Sequence, residues 1–179
     1  MNLDAFYRLF EAFASSAFRL ETLQAYAIPE EAGLVADFLA GKPLPDWTPE
    51  NNEFMAQLAA DTAAGKRWQR VHVIDLPLTD YLRYELAAYR CGAAAGEDIR
   101  ILDRAEHAAF ADVREDFWAF DLDDPTRAAV AVMRYDPDGR FLGVDRGEDL
   151  DRYRRLRDLA WAHAIPLGDY SAQERRYSA

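Results

Sequence analysis

Apolar residues recur three and four apart at Leu3, Phe6, Leu9, Phe10 and Phe13, which predicts an amphipathic helix at the start of the chain. The period then changes. In AFRLETLQAY, Phe18, Leu20 and Thr22 alternate with Arg19, Glu21 and Leu23, as in a strand. PEEAGLVADFLAG begins with Pro29 and two acids and stops at Gly41, a helix signature. KPLPDWTPE, with three prolines, predicts a loop. TPENNEFMAQLAADTAAGKRW predicts a second such helix, with Thr48 as cap, Pro49 in the first turn and Gly65 as stop.

From Arg67 to Ile74 the period is two again, and Pro77 closes this strand because it has no N–H for a ladder. Thr79 or Asp80 caps a helix expected to run to about Cys91, with CGAAAGED as its stop and a flexible joint. EDIRIL and DFWAFD are short strands, and AAVAVMRYDPDGRFLGVD is a hairpin turning at DPDG. Glu148 to His163 forms a closing helix. The sum is an α+β fold: one domain over residues 1–170, a mostly antiparallel sheet of five or six strands with flanking helices, and a frayed tail over 171–179.

Composition narrows the functions. The net charge of −11 opposes nucleic-acid binding, which needs a basic face, and fits poorly with an anionic membrane surface. Cys91 is the single cysteine, so neither an intrachain disulfide nor a thiolate cluster can form. MNLDAFYRLFEAF does not read as a secretory signal, and no run reaches the roughly 18 apolar residues of a membrane span. A cytoplasmic protein is expected.

The motifs favour structure over catalysis. The two helices flanking GKPLPDW are too far apart for a DNA-binding turn, and residues 1–60 hold nine acids against Arg8, Arg19 and Lys42. YDPDGRF lacks the third oxygen ligand and the final glutamate of a calcium loop. His72, His107 and His163 have no metal-ligand spacing, and no serine sits in a GxSxG elbow. No metal and no cofactor are expected. Asp116 and Asp121 should face opposite sides of one strand, which argues against a carboxylate dyad. One cluster of residue types remains as a candidate ligand site: Arg70, Tyr81, Arg83, Glu97, Arg100, Asp116 and Trp118, aromatic walls with a few charged groups. Ion pairs that fix a helix on a sheet would use the same residues.

AFRLETLQAYAIP, RVHVIDLPLTDYLRYEL, AGEDIRILDR, DFWAFD, DPDGRFLG and RDLAWAHAIPLGDY, taken in order, resemble an uncharacterised actinobacterial domain-of-unknown-function family. Its members are often encoded beside helix-turn-helix regulators of the xenobiotic-response-element type. The matching positions include Arg19, Glu21, Arg70, Pro77, Tyr81, Glu97, Asp98, Arg100, Asp116, Trp118, Asp121, Gly139 and Trp161. The resemblance implies a regulatory accessory role; together with the −11 charge and the absent catalytic constellation, it leads to the expectation of a non-catalytic protein that engages a basic partner, such as a helix-turn-helix regulator, through acids such as Glu30, Glu31 and Asp37. The alternative is a sensory or enzymatic pocket lined by Arg, Tyr and carboxylates.

Overall fold

A computed structural model describes residues 1–177, with side chains to Ala172. The helices are α1 (Leu3–Ala12), α2 (Ala32–Leu39), α3 (Glu53–Ala63), α4 (Asp80–Ala95), α5 (Leu150–His163) and α6 (Leu167–Tyr177). The strands are β1 (Ser16–Glu21), β2 (Arg67–Ile74), β3 (Glu97–Asp103), β4 (Asp116–Phe120), β5 (Ala129–Tyr135), β6 (Phe141–Arg146) and β7 (Ile165–Pro166). All strands lie in one sheet of order β6-β5-β4-β1-β2-β3-β7.

The α+β class holds, but the sheet is mixed and has seven strands rather than five or six. β1, β2 and β3 pair in parallel, whereas β4, β5, β6 and β7 join antiparallel. The reason lies in the connections. α4 carries the chain from the end of β2 back to the start of β3, and such a crossover forces parallel pairing. β7 has only two residues, too few to show a period.

Helix ends differ from the expected ones where a side chain competes. Asn52, not Thr48, caps α3 by accepting from the Met55 N–H at 3.1 Å. Thr79 caps α4 through the Leu82 N–H, and the helix continues past Gly92 to Gly96. Gly92 is not a stop: a β-carbon there would lie 2.8 Å from a Glu97 carboxylate oxygen, so its bareness lets α4 settle against β3. The stretch expected to fray lies partly outside the described residues, and α6 carries the backbone to Tyr177.

Both sheet faces are covered. Phe18, Leu20, Val71, Val73 and Phe117 pack with Tyr153 and Ala160 of α5. On the other face Ala17, Trp68, Trp118 and Phe120 pack with Phe6 of α1, Met55 and Leu58 of α3 and Cys91 and Ala95 of α4. No helix among the described residues is long and apolar enough to cross a membrane. Because β1 is central in a covered sheet, all six of its residues are buried, Arg19 and Glu21 included.

Candidate functional site: a buried Arg–Glu network under α1 and α3

Alternation along β1 turns Ala17, Arg19 and Glu21 toward α1, α3 and α4. The register then sets Trp118 of β4 and Arg70 of β2 on either side of Arg19, and His72 beside Glu21. Two guanidiniums side by side would repel, so the carboxylates arranged around them decide whether the fold is stable. Glu21 meets Arg19 Nε at 3.3 Å and accepts from Arg70 Nη1 at 2.6 Å. Arg70 Nε donates to Glu97 at 2.8 Å, and Arg19 Nη2 donates to Asp116 at 3.1 Å and to the Tyr135 hydroxyl at 3.3 Å. Asp116 also accepts from the Thr22 N–H and hydroxyl and from the Tyr26 hydroxyl.

A second layer adjoins this one under α4. Tyr89 donates to Glu21 at 2.8 Å and lies 2.8 Å from His72 Nδ1, while His72 Nε2 meets the Leu23 carbonyl at 2.9 Å. Glu85 Oε2 is 3.6 Å from His72 Nδ1 and has no hydrogen-bond partner.

Protonation follows from these neighbours. Burial works against ionised Glu21, but Arg70 and Arg19 outweigh it and hold the carboxyl well below its usual range. Burial also disfavours charge on Arg19, yet Glu21 and Asp116 more than offset it. Burial pushes His72 down despite the pull of Glu21. Burial, reinforced by the Glu21 charge, pushes Glu85 far up. Beside ionised Glu21, His72 therefore resists taking a proton and Glu85 resists losing one.

The layer of Arg19, Glu21 and Arg70 forms the floor of an open pocket of about 470 Å³ between α1 and α3. Its walls are mainly Phe6, Tyr7, Phe10, Phe54, Trp118 and Tyr135. Both guanidiniums also lie over Trp118, with Arg19 Cζ 5.6 Å and Arg70 Cζ 5.9 Å from the ring centre. Arg19 is 3% exposed, and its Nη1 has no hydrogen-bond partner.

Of the seven residues picked out in the sequence, Arg70, Glu97, Asp116 and Trp118 belong to this network. Tyr81 stands outside it, donating to Glu31 at 2.7 Å with its ring 5.8 Å from that of Tyr26. Arg83 is exposed and pairs with Asp80, one turn before it on α4. Arg100 faces α5, 3.7 Å over the Trp161 ring, because it is one residue out of phase with Glu97 and Ile99. Asp116 and Asp121 are indeed separate: Asp121 leaves the strand at φ 48° and accepts from the N–H groups of Ala14, Ser15 and Ser16.

Arg19, Glu21, Tyr26, His72, Glu85 and Tyr89 were missing from the candidate set. The signal available for Arg19 and Glu21 was their alternation with apolar residues along β1. Glu21, His72 and Glu85 bring ligand atoms within 4.8 Å of one another. A divalent ion there would face Arg19 and Arg70, and both ring nitrogens of His72 are engaged. The set suits a shared proton better than a metal.

No curated protein and no solved structure matches the chain. Residues 4–172 match the family described as domain of unknown function (DUF6879). The chain belongs to that family.

Proposed function

We propose that this domain binds a small molecule in the pocket between α1 and α3, with Arg19, Glu21 and Arg70 as its floor. The observation that carries the reading is the unpartnered Arg19 Nη1, buried in a residue that lines an aromatic-walled pocket. Burying a guanidinium with an idle donor costs stability, and apolar residues would pack α1 on the sheet more cheaply. A floor of this kind suits recognition. No serine, threonine, cysteine or histidine lines the pocket among the described residues, which favours binding over catalysis.

The test is a thermal-shift screen of metabolite pools on the wild type and on Tyr7→Ala and Phe54→Ala. Tyr7 is 60% and Phe54 37% exposed, so both variants should fold. A compound that raises the wild-type Tm and loses its effect in both variants supports the reading. Equal shifts in all three proteins would point elsewhere.

The regulatory reading, with a helix-turn-helix regulator as partner and a cytoplasmic location, rests on charge and the family resemblance. Its proposed acids are partly engaged: Glu31 accepts from Tyr81, and Asp37 pairs with Lys42. Ligand sensing on behalf of such a regulator would be compatible with the pocket.

A further inference from the structure

We infer that a second pocket, formed by residues 26–35, Tyr81 of α4 and the start of β6, binds a small organic amine, with its ammonium group against Glu31 and its body among aromatic and apolar walls. This site is separate from the pocket between α1 and α3 and goes beyond the reading proposed for it. The pocket is open and holds about 720 Å³. Its two chain segments are joined by the backbone, since the Ala27 N–H donates to the Gly139 carbonyl at 3.0 Å. Tyr26 lines it, whereas Tyr135, with its ring 5.2 Å from that of Tyr26, lines the pocket between α1 and α3. The two cavities are neighbours with different linings.

The first observation is an acid without a counterion. Glu31 lines the pocket half-buried and accepts from the Tyr81 hydroxyl at 2.7 Å. Glu21, Glu97 and Asp116 each pair with an arginine, but Glu31 has no such pair among the described residues. Nor does Glu31 serve the backbone: it stands at the N-cap of α2 and makes no capping hydrogen bond. Burial pushes its carboxyl up; the Tyr81 hydrogen bond opposes this, and the charges of Glu21 and Glu30 add to the rise. A guest cation would supply the neutralisation that the fold leaves out.

The second is the walls. The Tyr26 and Tyr81 rings have centroids 5.8 Å apart and planes tilted by 58°, so they form a corner rather than a stack. Phe141 adds a third ring and is 43% exposed, a large apolar surface left open to water. Rings set around a carboxylate attract an ammonium through their electron-rich faces. Ile28, Pro29 and Val35 complete the lining with apolar surface for the hydrocarbon part of the guest.

The third concerns Arg140, the lining residue of opposite sign. Its side chain is 69% exposed and lies 3.8 Å from Asp136. It is not among the charges that act on Glu31. Arg140 therefore neither neutralises the acid nor offers an unpaired charge to an anion.

Three probes on one benzyl stem, benzylammonium, benzyl alcohol and phenylacetate, are to be titrated into the full chain by ligand-observed NMR. The same titrations are run on Glu31→Gln, which keeps an oxygen for Tyr81 to donate to, and on Phe54→Ala in the other pocket. Benzylammonium should bind about tenfold more tightly than the other two, and should lose that margin in Glu31→Gln but keep it in Phe54→Ala. Benzyl alcohol or phenylacetate binding as tightly as the amine would overturn the inference, as would no binding by any probe. An amine that binds Glu31→Gln undiminished would overturn it too. If that amine is lost from Phe54→Ala, the cation belongs to the pocket between α1 and α3. If it is lost from neither variant, the attraction is a diffuse one to the −11 chain. Equal loss from both variants would show that Glu31 acts through the fold and not at a site of its own.

Discussion

Arg19 and Arg70 stand opposite each other in the parallel register of β1 and β2, and Glu21 holds an ion pair with each. A like-charged pair at the centre of a sheet exists only because Glu21, Glu97 and Asp116 surround it. The network is one unit, and removing a member strands the others.

Arg70→Met tests that dependence. It leaves Glu21 and Glu97 without their shared guanidinium, in a site where Arg70 has a side-chain exposure of 12%. Uncompensated buried charge of this kind costs about 3–5 kcal/mol. Urea denaturation should show the loss, together with a lower melting temperature. A change below about 1 kcal/mol, the size expected of a surface pair, would mean that water already screens the network.

The two arginines that lie outside the network serve as controls. Arg83→Ala removes an exposed pair with Asp80 and should change stability by less than about 0.5 kcal/mol. Arg100→Ala uncovers the Trp161 ring on the α5 face and should cost about 1 kcal/mol. Neither should alter ligand binding in calorimetry. An effect of Arg100→Ala on affinity would place the site on the other side of the sheet.

Glu85 and His72 predict a pH dependence with opposite signs. Burial and the Glu21 charge raise Glu85 well above 4.5, so the folded chain keeps a proton that the unfolded chain releases. Its contribution is full below pH 4.5 and declines as pH rises, by up to about 1.4 kcal/mol per unit. His72 is lowered from 6.5 by burial, so its contribution is full above pH 6.5 and declines as pH falls. The two slopes oppose each other between pH 4.5 and 6.5, and above 6.5 only that of Glu85 remains. Urea midpoints should therefore fall from pH 6.5 to 8.5, and Glu85→Gln should flatten the curve. A wild-type curve flat over that range would show Glu85 already ionised.

Gly139→Ala probes the segment that closes the network from β1 to the hairpin. Gly139 has φ 81°, its carbonyl accepts from the Ala27 N–H at 3.0 Å, and an added β-carbon would lie 2.6 Å from the Ala25 carbonyl oxygen. Strain and displacement together should cost about 1–3 kcal/mol. They should also disturb Tyr26, whose hydroxyl donates to Asp116 at 2.5 Å. Retained stability would mean that the turn moves away freely.

Much of the architecture was legible in local patterns, because each depended on near neighbours. The α1 stripe, the β2 alternation and the DPDG hairpin all belong to that kind. Asp136 even accepts from the N–H groups of Asp138 and Arg140 within the hairpin turn. Strand order was not legible, since parallel pairing of β1, β2 and β3 joins residues such as Arg19, Arg70 and Ile99 across long intervals. The site was half legible for the same reason. Arg70, Glu97, Asp116 and Trp118 stood out by type, but the alternation of Arg19 and Glu21 looks the same whether the polar stripe meets water or a helix layer. Arg100 was misjudged by one residue of phase, which in a strand means the opposite face.

Native mass spectrometry of the protein, gently purified from its own host, tests the central claim most directly. The account predicts a bound species of small mass at one per chain, lost from Phe54→Ala. A chain free of any small mass but held at fixed stoichiometry to a basic protein would contradict it, and would favour the acidic surface over the pocket.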